Sequence, residues 1–204
     1  MSLSKLTIVI PTFYPGKIIK KCLASLPLTS EIIIIDNGED LELEKIIKLQ
    51  KHKIKHYKVG DVGLSKSFNI ALAKSKNENI LITQPDVCFE KNSIINLVKA
   101  QKKYTKAGII SPLLFEKNKY SQYDYLDLSL SKLGTLENKR RPKKVSMFPS
   151  GDICVEAVNA TAMLIKKSII KKINGWDENI YTYHEDIDLC LRLRKKGYSI
   201  MKIK

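Results

Sequence analysis

Ile32-Ile33-Ile34-Ile35-Asp36-Asn37-Gly38 is the stretch that decides the fold. Four β-branched residues in an unbroken row cannot turn one side to water. A strand covered on both faces, as in a parallel sheet, is the setting that tolerates them. The run stops at three turn formers, Asp36, Asn37 and Gly38. Upstream, Leu6 to Ile10 is a second apolar run ending at Pro11, and 18–26 has helical spacing up to Pro27. Downstream, 41–51 is a charged helical segment, 53–59 alternates like a strand and 64–76 reads as a helix. Ile80-Leu81-Ile82 is a strand ending at Gln84-Pro85-Asp86, 92–104 is a helix and Gly108-Ile109-Ile110 a further strand. Strand and helix in alternation predict an α/β fold, a mostly parallel central sheet flanked by helices. Ligands of such sheets bind beyond the carboxyl ends of the strands, so Asp36 and Asp86 are expected to face one crevice.

The pattern changes after Pro112. Residues 113–150 are tyrosine-rich and then basic, with Lys139-Arg140-Arg141-Pro142-Lys143-Lys144, and read as a long loop or insertion. Beyond it, 153–158 and 162–165 look like strands, and a short helix runs from Ser168 to near Asn174-Gly175. A helix over 185–196 is stopped by Gly197, and 198–204 is strand-like. The chain is read as one domain over 1–204 in three parts, 1–111, 112–151 and 152–204.

The 204 residues are 44% hydrophobic, enough to bury a sizeable core. The formal charge is +15, from 36 basic and 21 acidic residues. Most of the lysines are read as solvated surface, and the excess also favours an anionic partner. Cys22, Cys88, Cys154 and Cys190 form no CxxC pair and have no metal-site spacing. They are expected to behave as small hydrophobes in a reducing compartment. No signal-peptide layout or membrane-length apolar run is present, so a cytoplasmic location is expected, with peripheral contact to an anionic membrane as an option.

Four segments carry chemistry. Ile8-Val9-Ile10-Pro11-Thr12-Phe13-Tyr14 leaves a strand end, and Ile34-Ile35-Asp36-Asn37-Gly38 leaves another. Gly63-Leu64-Ser65-Lys66-Ser67-Phe68-Asn69 enters a helix and is followed by Gln84-Pro85-Asp86-Val87. Asn174-Gly175-Trp176-Asp177-Glu178 precedes His184-Glu185-Asp186-Ile187-Asp188-Leu189-Cys190-Leu191-Arg192. Each has a plain reading: turn residues at 36–38, acids favoured at a helix start at 185–188, and an Asp188–Arg192 pair spaced i,i+4. In this order and spacing the set resembles glycosyltransferase family 2, especially its rhamnosyltransferase-like and galactofuranosyltransferase-like branches, over nearly the whole chain.

The resemblance implies a GT-A fold and transfer of a sugar, rhamnose or another hexose, from a nucleotide-diphosphate donor to a hydroxyl of a glycan or lipid-linked glycan. It implies a nucleotide-binding half over 1–111 and an acceptor half over 152–204 that carries a smaller antiparallel portion. Pro11, Thr12, Phe13, Asp36 and Asn37 would form the nucleotide pocket, and Gly63 would permit close backbone approach. Lys66 would reach the diphosphate or only solvent. Gln84-Pro85-Asp86 stands where the family carries its DxD motif, so Asp86 would hold a divalent cation, Mg²⁺ or Mn²⁺, that bridges the donor phosphates. Asp186 would be the general base, with Glu185 positioning the acceptor. Asn159 would line the sugar pocket. Trp176 would stack on a sugar or fill the core, and Arg192 or Arg194 would meet the diphosphate. Family members continue past the acidic helix with more strand and helix, so the acceptor half is expected to be either truncated at its C-terminus or a naturally short form.

Three other classes of protein compete with this one. A nucleotidyltransferase needs a glycine-rich basic loop after its first strand, which residues 11–16 do not supply. A nucleic-acid module lacks a reader motif, and Glu185-Asp186 would repel phosphates, so no nucleic acid is expected. A silent nucleotide-sugar-binding domain stays open, because Gln84 replaces an acid.

Overall fold

The computed structural model describes residues 3–115, 128–130, 136–138 and 151–204. Five strands and four helices alternate at first: β1 (Leu6–Thr12), α1 (Ile19–Ala24), β2 (Glu31–Asp36), α2 (Leu41–Lys48), β3 (Ile54–Lys58), α3 (Leu64–Lys74), β4 (Asn79–Thr83), α4 (Ser93–Lys103) and β5 (Ala107–Pro112). Then come β6 (Leu128–Leu130), β7 (Leu136–Asn138), β8 (Ile153–Val155), β9 (Ala162–Lys166), α5 (Lys167–Lys171), α6 (Glu185–Lys195) and β10 (Ser199–Ile203).

The main sheet has eight strands in the order β3-β2-β1-β4-β9-β5-β10-β8. β3, β2, β1 and β4 are mutually parallel, as are β5 and β10. β9 runs antiparallel between β4 and β5, and β8 antiparallel to β10 at the edge. The antiparallel strands thus lie on the side built by the last third of the chain. β6 and β7 pair antiparallel within the span expected to be an insertion. The basic run 139–144 lies outside the described residues.

The isoleucine run explains the layers. Side chains alternate along a strand, so Ile32 and Ile34 face one way and Ile33 and Ile35 the other, and all four are wholly buried. Ile32 and Ile34 join Ile8, Ile10 and Leu81 under Ile19 and Leu23 of α1, Leu43 of α2 and Leu97 of α4. Ile33 and Ile35 join Val9, Ile80 and Ile82 under Phe68 of α3, Ile170 of α5 and Ile187, Leu189 and Leu193 of α6. Three helices therefore cover each face. β1 continues through Pro11 to Thr12, two residues past the expected stop, because its pairing with β2 runs on to Asp36. Among the cysteines, Cys22 and Cys190 are buried as expected, but Cys88 and Cys154 are exposed. Cys154 sits on the edge strand β8 and Cys88 just past the turn that ends β4. Among the described residues, no helix is long and apolar enough to cross a membrane.

Candidate active site

The carboxyl ends of β1 and β2 lie side by side, Thr12 in register with Asp36. Asn37 clamps them: its N–H donates to Thr12 O (2.8 Å), and its Nδ2 donates to Thr12 O (3.3 Å) and Ile35 O (3.4 Å). Its Oδ1 accepts from Ser67 Oγ (3.0 Å) and Val62 N (3.3 Å), which ties the 60–64 loop to the same corner. Asp36 has no exposed surface. Its carboxylate accepts from Gly38 N (3.2 Å), Asp40 N (3.0 Å) and His56 Nε2 (2.9 Å). These bonds show Asp36 and Asn37 in the turn role their residue types also suggest, beside the nucleotide-pocket role expected of them. Pro11 and Thr12 are buried with β1, while Phe13 is 59% exposed and packs edge-on against Tyr14 at 5.0 Å.

Gly63 opens α3 at φ +79°. A β-carbon there would lie 2.4 Å from Tyr181 O, so only glycine lets the 176–184 loop close on it. Leu64 N donates to that same Tyr181 O (2.8 Å). Lys66, one turn on, is exposed. Asn69 holds the loop from the other side. Its Nδ2 donates to Trp176 O and Glu178 Oε1 (both 2.9 Å), and its Oδ1 accepts from Trp176 N (2.9 Å). Trp176 is 2% exposed and packs 5.1 Å from Phe68, so its ring fills the core and has no face free for a sugar. Arg192 is only partly buried. Its Nη1 donates to Ile173 O (2.8 Å) and Gly175 O (2.7 Å), and Asp188 pairs with it at 2.6 Å. It braces the loop before α6 through these bonds.

The end of β4 and the head of α6 are both tied to the 160–161 segment. Thr83 Oγ1 donates to Thr161 O (3.1 Å), and the neighbouring Ala160 N donates to Asp186 Oδ2 (3.0 Å). Ile187 N donates to Asp186 Oδ1 (2.8 Å), so each carboxylate oxygen is held by one backbone donor and keeps a lone pair. Asn159, in the same stretch, has a buried Oδ1 that accepts no hydrogen bond. Asp86 is exposed and Gln84 half-buried. The backbone donor at Ala160 is a site feature that residue types alone do not reveal.

Among the described residues no group of three His, Cys, Asp or Glu side chains could hold a metal. A hard cation such as Mg²⁺ often takes one or two carboxylates and fills its shell with substrate phosphates and water. The exposed Asp86 carboxylate, with the Gln84 amide two residues before it, fits that partial role.

Burial pushes the Glu185 carboxyl up to about 7, and the charge of Asp186 beside it adds to the rise. Glu185 is 4% exposed and its Oε2 has no partner. Burial also raises Asp186, against the Ala160 and Ile187 N–H groups that favour its charged form. A carboxyl raised on folding stabilises the protein below its unfolded pKa, and that stability is lost as pH rises through about 7. Discounted for water at the cleft mouth, the loss is on the order of 1–2 kcal/mol. Glu185→Gln cannot ionise. Its melting temperature relative to the parent is therefore expected to climb by about 3–8 °C between pH 4.5 and 8. Melting curves across that range check this; a difference that does not change with pH would refute it.

A mostly parallel α/β sheet with antiparallel strands on one side, an acid in the turn after β4 and an acid pair at the head of α6 is a GT-A fold, the fold class of sugar-nucleotide transferases. Residues 7–169 match the family model Glycosyl transferase family 2, and the chain belongs to that family. It is 30% identical to Rhamnosyltransferase WbbL of Escherichia coli (strain K12) over 88% of this chain and 73% of the relative. It is 22% identical to the N-acetylglucosaminyl-diphospho-decaprenol L-rhamnosyltransferase of Mycobacterium tuberculosis over 95% and 71%. Two solved structures share the fold. The mannosyltransferase PcManGT of Pyrobaculum calidifontis, in complex with GDP-Man and Mn²⁺, gives a TM-score of 0.68 at 13% identity. GalNAc-T7 with UDP, GalNAc and Mn²⁺ gives 0.77 at 14%. Each alignment covers 98% of this chain, but only 54% and 42% of the solved chains, so this chain spans about half their length.

Proposed function

We propose that the protein transfers a hexose, rhamnose-like, from a nucleotide-diphosphate donor to a hydroxyl of a glycan or lipid-linked glycan, with inversion at the anomeric carbon. The observation that carries this reading is Asp186: a part-buried carboxylate aimed by two backbone donors at the head of α6, joined through the 160–161 backbone to Thr83 at the end of β4, three residues before Asp86. Asp186 takes the proton of the acceptor O–H as the acceptor oxygen bonds to the anomeric carbon. The carbon–oxygen bond to the diphosphate breaks in the same step, and its electron pair leaves on the phosphate oxygen. Glu185, protonated up to about pH 7, adds no second negative charge beside the base. Phe13 offers an exposed face to the nucleotide base, and Lys66 meets the diphosphate. The unpartnered Asn159 Oδ1 accepts from a sugar hydroxyl. Asp86, with Gln84, would hold Mg²⁺ or Mn²⁺, which when bound neutralises charge on the leaving diphosphate.

The names of the relatives favour rhamnose and a lipid-diphosphate-linked acceptor. The basic run 139–144 is the segment we assign to that acceptor's phosphates or to the inner membrane face. A melting-temperature panel of nucleotide sugars, with and without Mn²⁺, tests the donor. At a hundred times its Kd a donor adds about 2.7 kcal/mol, a rise of about 5–10 °C for a chain of this size. No shift with any nucleotide sugar would overturn the reading.

A further inference from the structure

Tyr183 is the most exposed aromatic among the described residues, at 78%. Its backbone sits at φ +63° and that of His184 at φ +68°. They are the one consecutive pair of described non-glycine residues in the left-handed region, which crowds a β-carbon. The strain is imposed from both ends. Tyr181 is fixed by Leu64 N, by the close fit to Gly63 and by its own hydroxyl, which donates to Asp61. On the other side α6 is already locked, with Asp188 N donating to His184 O (2.9 Å) and Asp186 held by Ala160. Between these anchors the chain spends two unfavourable conformations to leave an aromatic ring in water. Nothing described satisfies that ring: it makes no hydrogen bond or ring contact. Backbone strain held by well-fixed neighbours, three residues before a part-buried carboxylate, marks a place where a side chain is aimed at a ligand.

We infer that Tyr183 is the platform for the acceptor, and that the acceptor at this site is a sugar ring. The inference rests on the transfer reading above. A pyranose has a flat face of C–H groups that covers an aromatic ring, while its hydroxyls stay at the edge where Asp186 can reach one. A bare lipid alcohol or a serine side chain would have no such face. Trp176, the aromatic that the sequence offers for this role, is buried; Tyr183 holds the exposed ring instead.

The test uses the full chain with methyl glycosides of N-acetylglucosamine, galactose, mannose and rhamnose, read by saturation-transfer NMR on the sugar ring protons. The parent and Tyr183→Phe are expected to saturate at least one glycoside equally. Tyr183→Ala and Tyr183→Gly are expected to lose that signal at least fivefold. Tyr183→Gly is expected to melt above Tyr183→Ala, because glycine relieves the left-handed strain while leaving the platform absent. This split separates lost binding from lost folding. An undiminished signal in Tyr183→Ala, or no saturation of any glycoside by the parent, would overturn the assignment. The nucleotide-sugar melting shift, measured on the same proteins, should be unchanged by all three substitutions. Its absence in the parent would instead count against the transfer reading.

Discussion

Asp186→Asn is expected to lower kcat for sugar transfer by about 10²–10⁴-fold while donor binding survives. An amide cannot take the proton of the attacking hydroxyl. The substitution also has a structural cost that must be separated from the chemical one. Both carboxylate oxygens accept a backbone N–H, from Ala160 and from Ile187. Asparagine has one acceptor oxygen, so one of those N–H groups faces an NH₂, and stability is expected to fall by about 1–3 kcal/mol. The assay is therefore run well below the variant's melting temperature, with the donor-induced shift recorded alongside. A variant that binds donor and keeps kcat within a few-fold of the parent would remove Asp186 as the base. It would also revive the view of the chain as a silent sugar-nucleotide binder.

The second large effect is expected at Asp86. Its carboxylate is the exposed acid of the turn after β4. Neutralising charge on a leaving diphosphate is worth several kcal/mol in the transition state, and about 4 kcal/mol corresponds to a thousandfold in rate. Asp86→Ala is expected to reduce transfer by that order and to abolish the extra donor-induced melting shift that Mn²⁺ provides. Gln84→Asp works in the opposite direction. It adds a second acid two residues away and is expected to lower the Mn²⁺ concentration needed for half-maximal rate. Equal Mn²⁺ dependence in the parent, Asp86→Ala and Gln84→Asp would show that this turn is not where a cation acts.

The layers were legible because they rest on periodicity. An unbroken run such as Ile32–Ile35 admits few alternatives, and the strand and helix alternation up to β5 follows from it. The family was legible because four separate segments keep their order. Individual site roles were less so, for a physical reason: a polar residue at a strand end serves equally well as a ligand contact or as a brace. Asp36 and Asn37 are turn formers, and here their hydrogen bonds go to Gly38, Asp40, Thr12 and Ser67. Trp176 lies between Gly175 and Asp177, which reads as a loop, yet Asn69 draws its backbone inward from 107 positions away in sequence. Arg192 satisfies the i,i+4 pairing with Asp188 and then reaches two carbonyls that no local pattern indicates. The pairing of β6 with β7 fell within a stretch whose composition suggests only a loop.

The closeness of Gly63 to Tyr181 has a mechanical consequence. With no room for a side chain and a backbone hydrogen bond across the seam, the loop that leads into α3 and the strap leading to the acid pair are bolted together. Neither can swing while the other stays still. Any movement between them must pivot elsewhere, and a bulky replacement at position 63 would pry the two segments apart at once.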